Sequence, residues 1–244
     1  MSNKISVITV VFNDVTHIRA TMESFFSQTW EDKEYIVIDG GSTDGTAEII
    51  KEYADRLAYW CSEKDGGIYD AMNKGIMHAI GDWINILNSG DYYASNDVFE
   101  RVFANHDYAD IDVVYGNSME MNKDKESYVN AKDDYHVLAT QVAYRHGSSF
   151  MRTSVQKANL FNLSLKKKLG FALDWEMIHR VYSKGLVFQK INITIEKYNA
   201  DGASAHPYKS IWYNYLILSG NQFKLRTLTY LIKNFTWKIF SSSF

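Results

Sequence analysis

Three aspartates, each following a hydrophobic run, are the residues of this sequence best placed to do chemistry. Asp39 ends YIVID (Tyr35–Asp39) and opens the glycine-rich loop IDGGSTDGT (Ile38–Thr46). Asp65 lies in SEKDGGIYDAMNKG (Ser62–Gly75), and Asp91 ends the turn NSGD (Asn88–Asp91) after WINIL. A carboxylate at a strand end can accept hydrogen bonds from a ligand, and neighbouring glycines let that ligand approach the backbone. In the second motif Asp70, Asn73 and Lys74 fall within one helical turn, a grouping able to contact phosphate or hydroxyl groups at a pocket edge. In the third, Asp91 is the sole carboxylate, and a hard divalent cation that neutralises phosphate charge prefers such an oxygen ligand. Each motif also has a plainer explanation. The first is a βα turn with an N-cap, the second a capped surface helix with a solvated Lys74, and the third a turn with Gly90 at positive φ.

The elements that position these residues are readable in the first half. ISVITVVF (Ile5–Phe12) is a continuous β-branched run, as expected for a strand buried on both faces. After Asn13-Asp14, residues Ile18, Met22, Phe25 and Phe26 share a helical face, and Tyr35–Asp39 is the next strand. A helix carrying Ile49, Ile50, Tyr53 and Leu57 follows, with Asp44 or Thr46 near its N-cap. A strand at Ala58–Cys61, a helix from about Ile68 to Ile80 and a strand at Trp83–Leu87 complete a β-α-β-α-β-α-β order. That order implies a mostly parallel sheet flanked by helices, with ligands outside the carboxyl ends of its strands. Asp39, Asp65 and Asp91 all fall at or just after such ends. The second half is less regular, with strands expected at Asp112–Gly116 and Leu186–Ile195 and a helix at Leu173–Lys184.

Composition narrows the class. With 244 residues, 46% of them hydrophobic, the chain can bury one large α/β core and a modest appendage. The single cysteine, Cys61, excludes an internal disulfide and a cysteine metal cluster, and fits a reducing, cytoplasmic compartment. The first residues reach an aspartate too early for a secretory signal and read as a strand instead. Up to Asp201 there are 29 acidic residues against 21 basic ones, a net charge of −8, and the last 43 residues carry five basic residues and no acidic one. An acidic body argues against nucleic acid as a partner.

In order and spacing, ITVVFND, VIDGGSTDGT, SEKDGGIYDAMNKG and GDWINILNSGD resemble the inverting family 2 glycosyltransferases of the GT-A fold, especially bacterial members that assemble capsular or exopolysaccharide units. The resemblance spans Ile8–Asp91 and continues more weakly through HGSSFMR (His146–Arg152) and LDWEMIHR (Leu173–Arg180) to about Ser204. It implies a uridine or guanosine diphosphate sugar as donor, most simply a UDP-hexose, and a glycan or lipid-linked oligosaccharide as acceptor. Val11 and Phe12 would flank the base, Asp39 and Asp65 would contact base or ribose, and Gly67, Asn73, Lys74 and Asn88 would complete the donor site. The family's aspartate-rich metal motif falls on Asn88–Asp91, where Asn88 and Gly90 replace two aspartates and Asp91 remains to hold Mg2+ or Mn2+. Asp174 matches the general base, with Glu176 as the alternative two residues on. A single in-line displacement needs one base, because the metal stabilises the departing diphosphate. On residue type alone, Asp174 is a favourable charge in the first turn of a helix. His146, Trp175 and His206 could line the acceptor or diphosphate side, or be ordinary packed or surface residues.

Domains are expected at 1–207 for the GT-A unit and at 208–244 for a basic, amphipathic helical tail. In Phe223–Phe240, Leu228, Leu231, Ile232, Phe235 and Ile239 share a face. Its apolar runs fall short of the ~20 residues that span a bilayer. A helix of this kind fits the inner face of the plasma membrane as a peripheral contact, and equally a dimer interface or packing on the body. Two other functions stay open: a non-catalytic nucleotide-sugar-binding protein, suggested by the thinned metal motif, and a sugar nucleotidyltransferase. The latter is disfavoured because FNDVTHI carries no glycine-rich basic loop, and the lack of G-x-G-x-x-G after the first strand disfavours a dinucleotide-binding protein.

Overall fold

The computed structural model describes residues 3–122, 125–199 and 207–220. The alternating half forms as its periodicity dictates: β1 (Ile5–Val11), α1 (Ile18–Phe26), β2 (Lys33–Asp39), α2 (Thr46–Glu52), β3 (Tyr59–Ser62), α3 (Ile68–His78) and β4 (Trp83–Ile86). β5 (Tyr92–Tyr93), α4 (Val98–Phe103), β6 (Val113–Asn122), β7 (Lys125–Val129), β8 (Ser149–Arg152) and α5 (Thr153–Ala158) follow. The second half ends with α6 (Lys166–Leu169), α7 (Leu173–Ser183), β9 (Phe188–Asn199) and α8 (Pro207–Leu218).

Nine strands form one sheet in the order β3-β2-β1-β4-β8-β6-β9-β5, with β7 paired to β6. β3, β2, β1 and β4 are mutually parallel, which is the sheet that the βα alternation calls for. β8 runs antiparallel to both β4 and β6, while β9 lies parallel to β6. Chain order reverses beside β1, because β2 and β3 lie on one side of it and β4 on the other. That reversal opens a crevice at the carboxyl ends of β1 and β4, where ligands of open α/β sheets bind.

Every residue of β1 is buried, and its side chains alternate between two cores. Ile8 and Val10 join Ile36, Ile38, Met72, Ile76 and Ile178 on the face covered by α3 and α7. Val7 and Val11 join Met22, Phe25, Val37, Ile50 and Phe99 on the face covered by α1, α2 and α4. A strand covered on both faces has no use for polar alternation, which explains the continuous apolar run. α8 does not stand apart from the body: Tyr215, Leu216 and Ile217 are buried in the first of these cores. The amphipathic stretch Phe223–Phe240 and His206 lie outside the described residues.

Helix α3 comes close to the sheet at Gly75. A Cβ there would collide with Cγ2 of Ile8 and come within 3.4 Å of Cγ1 of Ile38. Gly→Ala inside a helix ordinarily gains about 1 kcal/mol. Here overpacking of a rigid core, typically ~1–3 kcal/mol, outweighs that gain. Gly75→Ala is therefore expected to lower the urea midpoint of unfolding, and a raised midpoint would refute this packing.

Candidate active site

The loop after β1 is tied to the glycine-rich loop after β2. The Asn13 N–H donates to Ser42 Oγ (2.7 Å), and Asn13 Oδ1 accepts from the Thr43 N–H (2.9 Å). The Asp14 N–H reaches Thr46 Oγ1 and the Val15 N–H reaches Asp44 Oδ2. Asp44 also accepts from the N–H and hydroxyl of Thr46, two residues on, so it acts as a turn former and the N-cap position itself is Gly45. Asp39 is fully buried inside this network. It accepts from the Ser42 N–H, from the Ser42 hydroxyl and from Ser62 Oγ, the last at 2.5 Å. Its carboxylate thus shapes the loop from within.

Beside the loop lies a cavity of ≈ 750 Å3 lined by Val11, Phe12, Gly40, Asp65, Gly67 and Lys166, among others. Phe12 is 64% exposed, an unusual position for a phenylalanine and a suitable one for stacking on a planar ring. Asp65 Oδ1 accepts from the Gly67 N–H (2.6 Å), while Oδ2 lies 3.0 Å from where a Cβ on Gly40 would sit. Two other expected donor residues, Asn73 and Lys74, are turned elsewhere. Asn73 exchanges two hydrogen bonds, each 2.9 Å, with the backbone of Phe161, and Lys74 pairs with Glu63 at 2.8 Å. Neither lines this cavity or the next.

A second cavity, also ≈ 750 Å3, adjoins the first and shares Ile68 with it. It gathers Asn88, Asp91, His146, Asp174 and Trp175 from motifs far apart in sequence. The NSGD turn is held on three sides. The Ser89 N–H donates to the Val10 carbonyl, the Gly90 N–H to Thr21 Oγ1, and Ser89 Oγ to Asp14 Oδ2. Gly90 takes φ 90°, as a turn of this kind requires. Asp174 stands in the first turn of α7, where Oδ1 accepts from the Trp175 N–H (2.8 Å) and, more weakly, from the Tyr69 hydroxyl (3.4 Å). Trp175 is buried and its Nε1–H has no hydrogen-bond partner. Burial lowers the His146 pKa, against the pull of the Asp174 charge.

Two residues absent from the sequence expectations complete this cavity. Glu196 of β9 is wholly buried, and it accepts from Ser118 Oγ (3.0 Å) and from Arg145 Nε (3.2 Å). Arg145 in turn lies over the Tyr198 ring, 3.4 Å from its centroid. Burial first, and the Glu196 charge second, push the Asp91 carboxyl up to about 7, and Arg145 offsets part of that. Little in the sequence signals Glu196, because it stands beside Lys197 in the mixed polar strand FQKINITIEKYN, and only the long-range packing buries it.

The donor set fits a hard divalent cation. Asn88 Oδ1 is buried without a hydrogen-bond partner, and it belongs to the same turn as the buried Asp91 carboxylate. An orphaned buried oxygen costs free energy that an ion would recover. Among the described residues, no three His, Cys, Asp or Glu side chains cluster to hold a metal by themselves.

A parallel βα half with a crevice at its switch point, joined to a mixed half that returns a carboxylate to the same crevice, is the architecture of a GT-A glycosyltransferase. The chain belongs to glycosyl transferase family 2, whose profile matches residues 6–195. It is 45% identical over 95 residues to an uncharacterised glycosyltransferase of Mycobacterium tuberculosis, a match covering 38% of this chain and 36% of that relative's length. Staphylococcus aureus TarS in complex with UDP-GlcNAc superposes with a TM-score of 0.70 at 16% identity, over 95% of this chain and 71% of TarS 1–349. The mannosyltransferase PcManGT of Pyrobaculum calidifontis, in complex with GDP-Man and Mn2+, gives 0.65 at 16% identity, over 95% and 68% of the two chains. At such identities the likeness is one of fold.

Proposed function

We propose that the protein transfers a hexose, with inversion, from a UDP-sugar to a hydroxyl of a glycan or lipid-linked oligosaccharide, with Mg2+ or Mn2+ as cofactor. The observation that carries this reading is the junction of the two cavities at Ile68. Phe12, Val11 and Asp65 suit a nucleoside at one end, Asn88 and Asp91 suit a cation and diphosphate in the middle, and Asp174 stands beyond them. Asp39 serves the nucleoside end indirectly by holding the Ser42 turn. Asp174 takes the proton from the acceptor hydroxyl as its oxygen attacks the anomeric carbon. The two hydrogen bonds to Oδ1 orient the carboxylate and leave Oδ2 for that proton. Asp91 and Asn88 would hold the cation, which would supply positive charge against the departing diphosphate. Tyr69, Phe171 and Trp175 on the wall of the second cavity suit an acceptor sugar, whose apolar faces stack on aromatic rings.

On this reading the reaction is cytoplasmic, where nucleotide sugars are made. The acid-free basic stretch after Asp201 would attach the enzyme peripherally to the acceptor's membrane. Among the described residues no helix is long and apolar enough to cross a membrane. A thermal-shift screen of nucleotide sugars with and without Mn2+ tests the proposal. Stabilisation by UDP-sugars that grows with Mn2+, together with slow donor hydrolysis, is the expected result. Stabilisation without any hydrolysis or transfer would indicate a non-catalytic binding protein instead.

A further inference from the structure

We propose that Lys166 is the anchor for the donor's diphosphate supplied by the second half of the chain, an inference that rests on the reading of the first cavity as the nucleotide site. Lys166 opens α6, yet it lines the cavity built by the ends of β1 and β2 and the start of α3. Its ammonium donates to the carbonyl of Gly66, a hundred residues earlier in the chain. A Cβ on Gly67, which already sits at φ 101°, would lie 2.7 Å from Lys166 Nζ. The ammonium is therefore seated against the glycine turn beside Ile68, where the nucleoside cavity meets the cavity of Asn88 and Asp91.

A diphosphate linking a base near Phe12 to a cation at Asp91 has to cross that seam. An ammonium carries three donors, of which the carbonyl uses one. Exchange of a neutral carbonyl for phosphate oxygens replaces an ordinary hydrogen bond with a charge-assisted one. Lys74, the basic residue whose spacing suggested phosphate contact, is instead held by Glu63, so this role falls to a lysine from another element. Leu169 anchors the C-terminal end of α6 in the core, so the lysine hangs on a fixed support. The same segment runs on through Phe171, whose carbonyl accepts from the Tyr69 hydroxyl, to Asp174. Diphosphate binding at Lys166 would thereby also steady the stretch that carries the base.

The test is a set of dissociation constants, by calorimetry at fixed Mn2+, for uridine, UMP and UDP and for the guanosine series. Lys166→Ala is expected to weaken the nucleoside diphosphate by about 10-fold or more, the scale of a lost hydrogen bond to a charged group, and to leave the nucleoside unchanged. Lys166→Arg keeps most of the diphosphate affinity, and the exposed neighbour Lys167→Ala behaves as wild type. An equal loss for nucleoside and diphosphate, or no loss for either, overturns the proposal. If the wild-type protein binds neither series, the nucleotide-site reading fails first and takes this inference with it.

Discussion

Asp174→Asn is expected to lower sugar transfer by about 10²–10⁴-fold, the range a positioned general base contributes. Donor affinity should change little. The substitution is nearly isosteric, and the new amide oxygen can still accept from the Trp175 N–H and the Tyr69 hydroxyl. What it removes is the carboxylate's basicity and one negative charge from the first turn of α7. If Asp174 serves only the helix, that loss costs about 0.3–1 kcal/mol of stability and nothing in turnover. Single-turnover transfer measured beside a thermal melt separates the two. Transfer within a few-fold of wild type would remove Asp174 as the base. Glu176 is poorly placed to take over, because it is buried and bonded to Arg180 Nε at 3.1 Å.

Asp91→Ala is expected to abolish Mn2+-dependent stabilisation by the donor and to weaken the cation by more than the ~10–100-fold typical of losing a partner outside the coordination shell. The reason is the sparseness of the NSGD turn, where Asp91 is the sole carboxylate and Asn88 Oδ1 the sole orphaned oxygen. A family motif with more aspartates would share the loss among several ligands, and this one cannot. Mn2+ titration of the protein in the presence of UDP measures it. Unchanged Mn2+ affinity would exclude Asp91 as a ligand and move attention to Glu196, the other buried carboxylate lining the cavity.

The parallel half of the fold was legible because local signals there agree. Period-3.6 faces, continuous β-branched runs and glycine-rich turns succeed one another from Ile5 to Asp91. In the second half, β6, β9 and α7 were the elements that local patterns indicated. β5 is only two residues long, too short for any periodicity to register, and β8 only four. Their partners lie far away in sequence, and α6 hid within LKKKL, a run that looks like solvated surface.

Sequence by itself determined the order of strands and turns, and therefore which carboxylates stand at carboxyl strand ends, since both depend on contacts within a few residues. Tertiary structure decided what each carboxylate meets. Asp39 was expected to contact base or ribose, and in the fold its carboxylate is buried and bonded to Ser42 and Ser62. Asn73 and Lys74 share a helical turn as their spacing requires. With α3 packed through Gly75 onto Ile8, they meet Phe161 and Glu63. Asp174 meets Asp91 in one cavity because β8 pairs with β4, β6 with β8, and β9 with β6, folding the second half back against the first. Those pairings are long-range, and no local pattern encodes them.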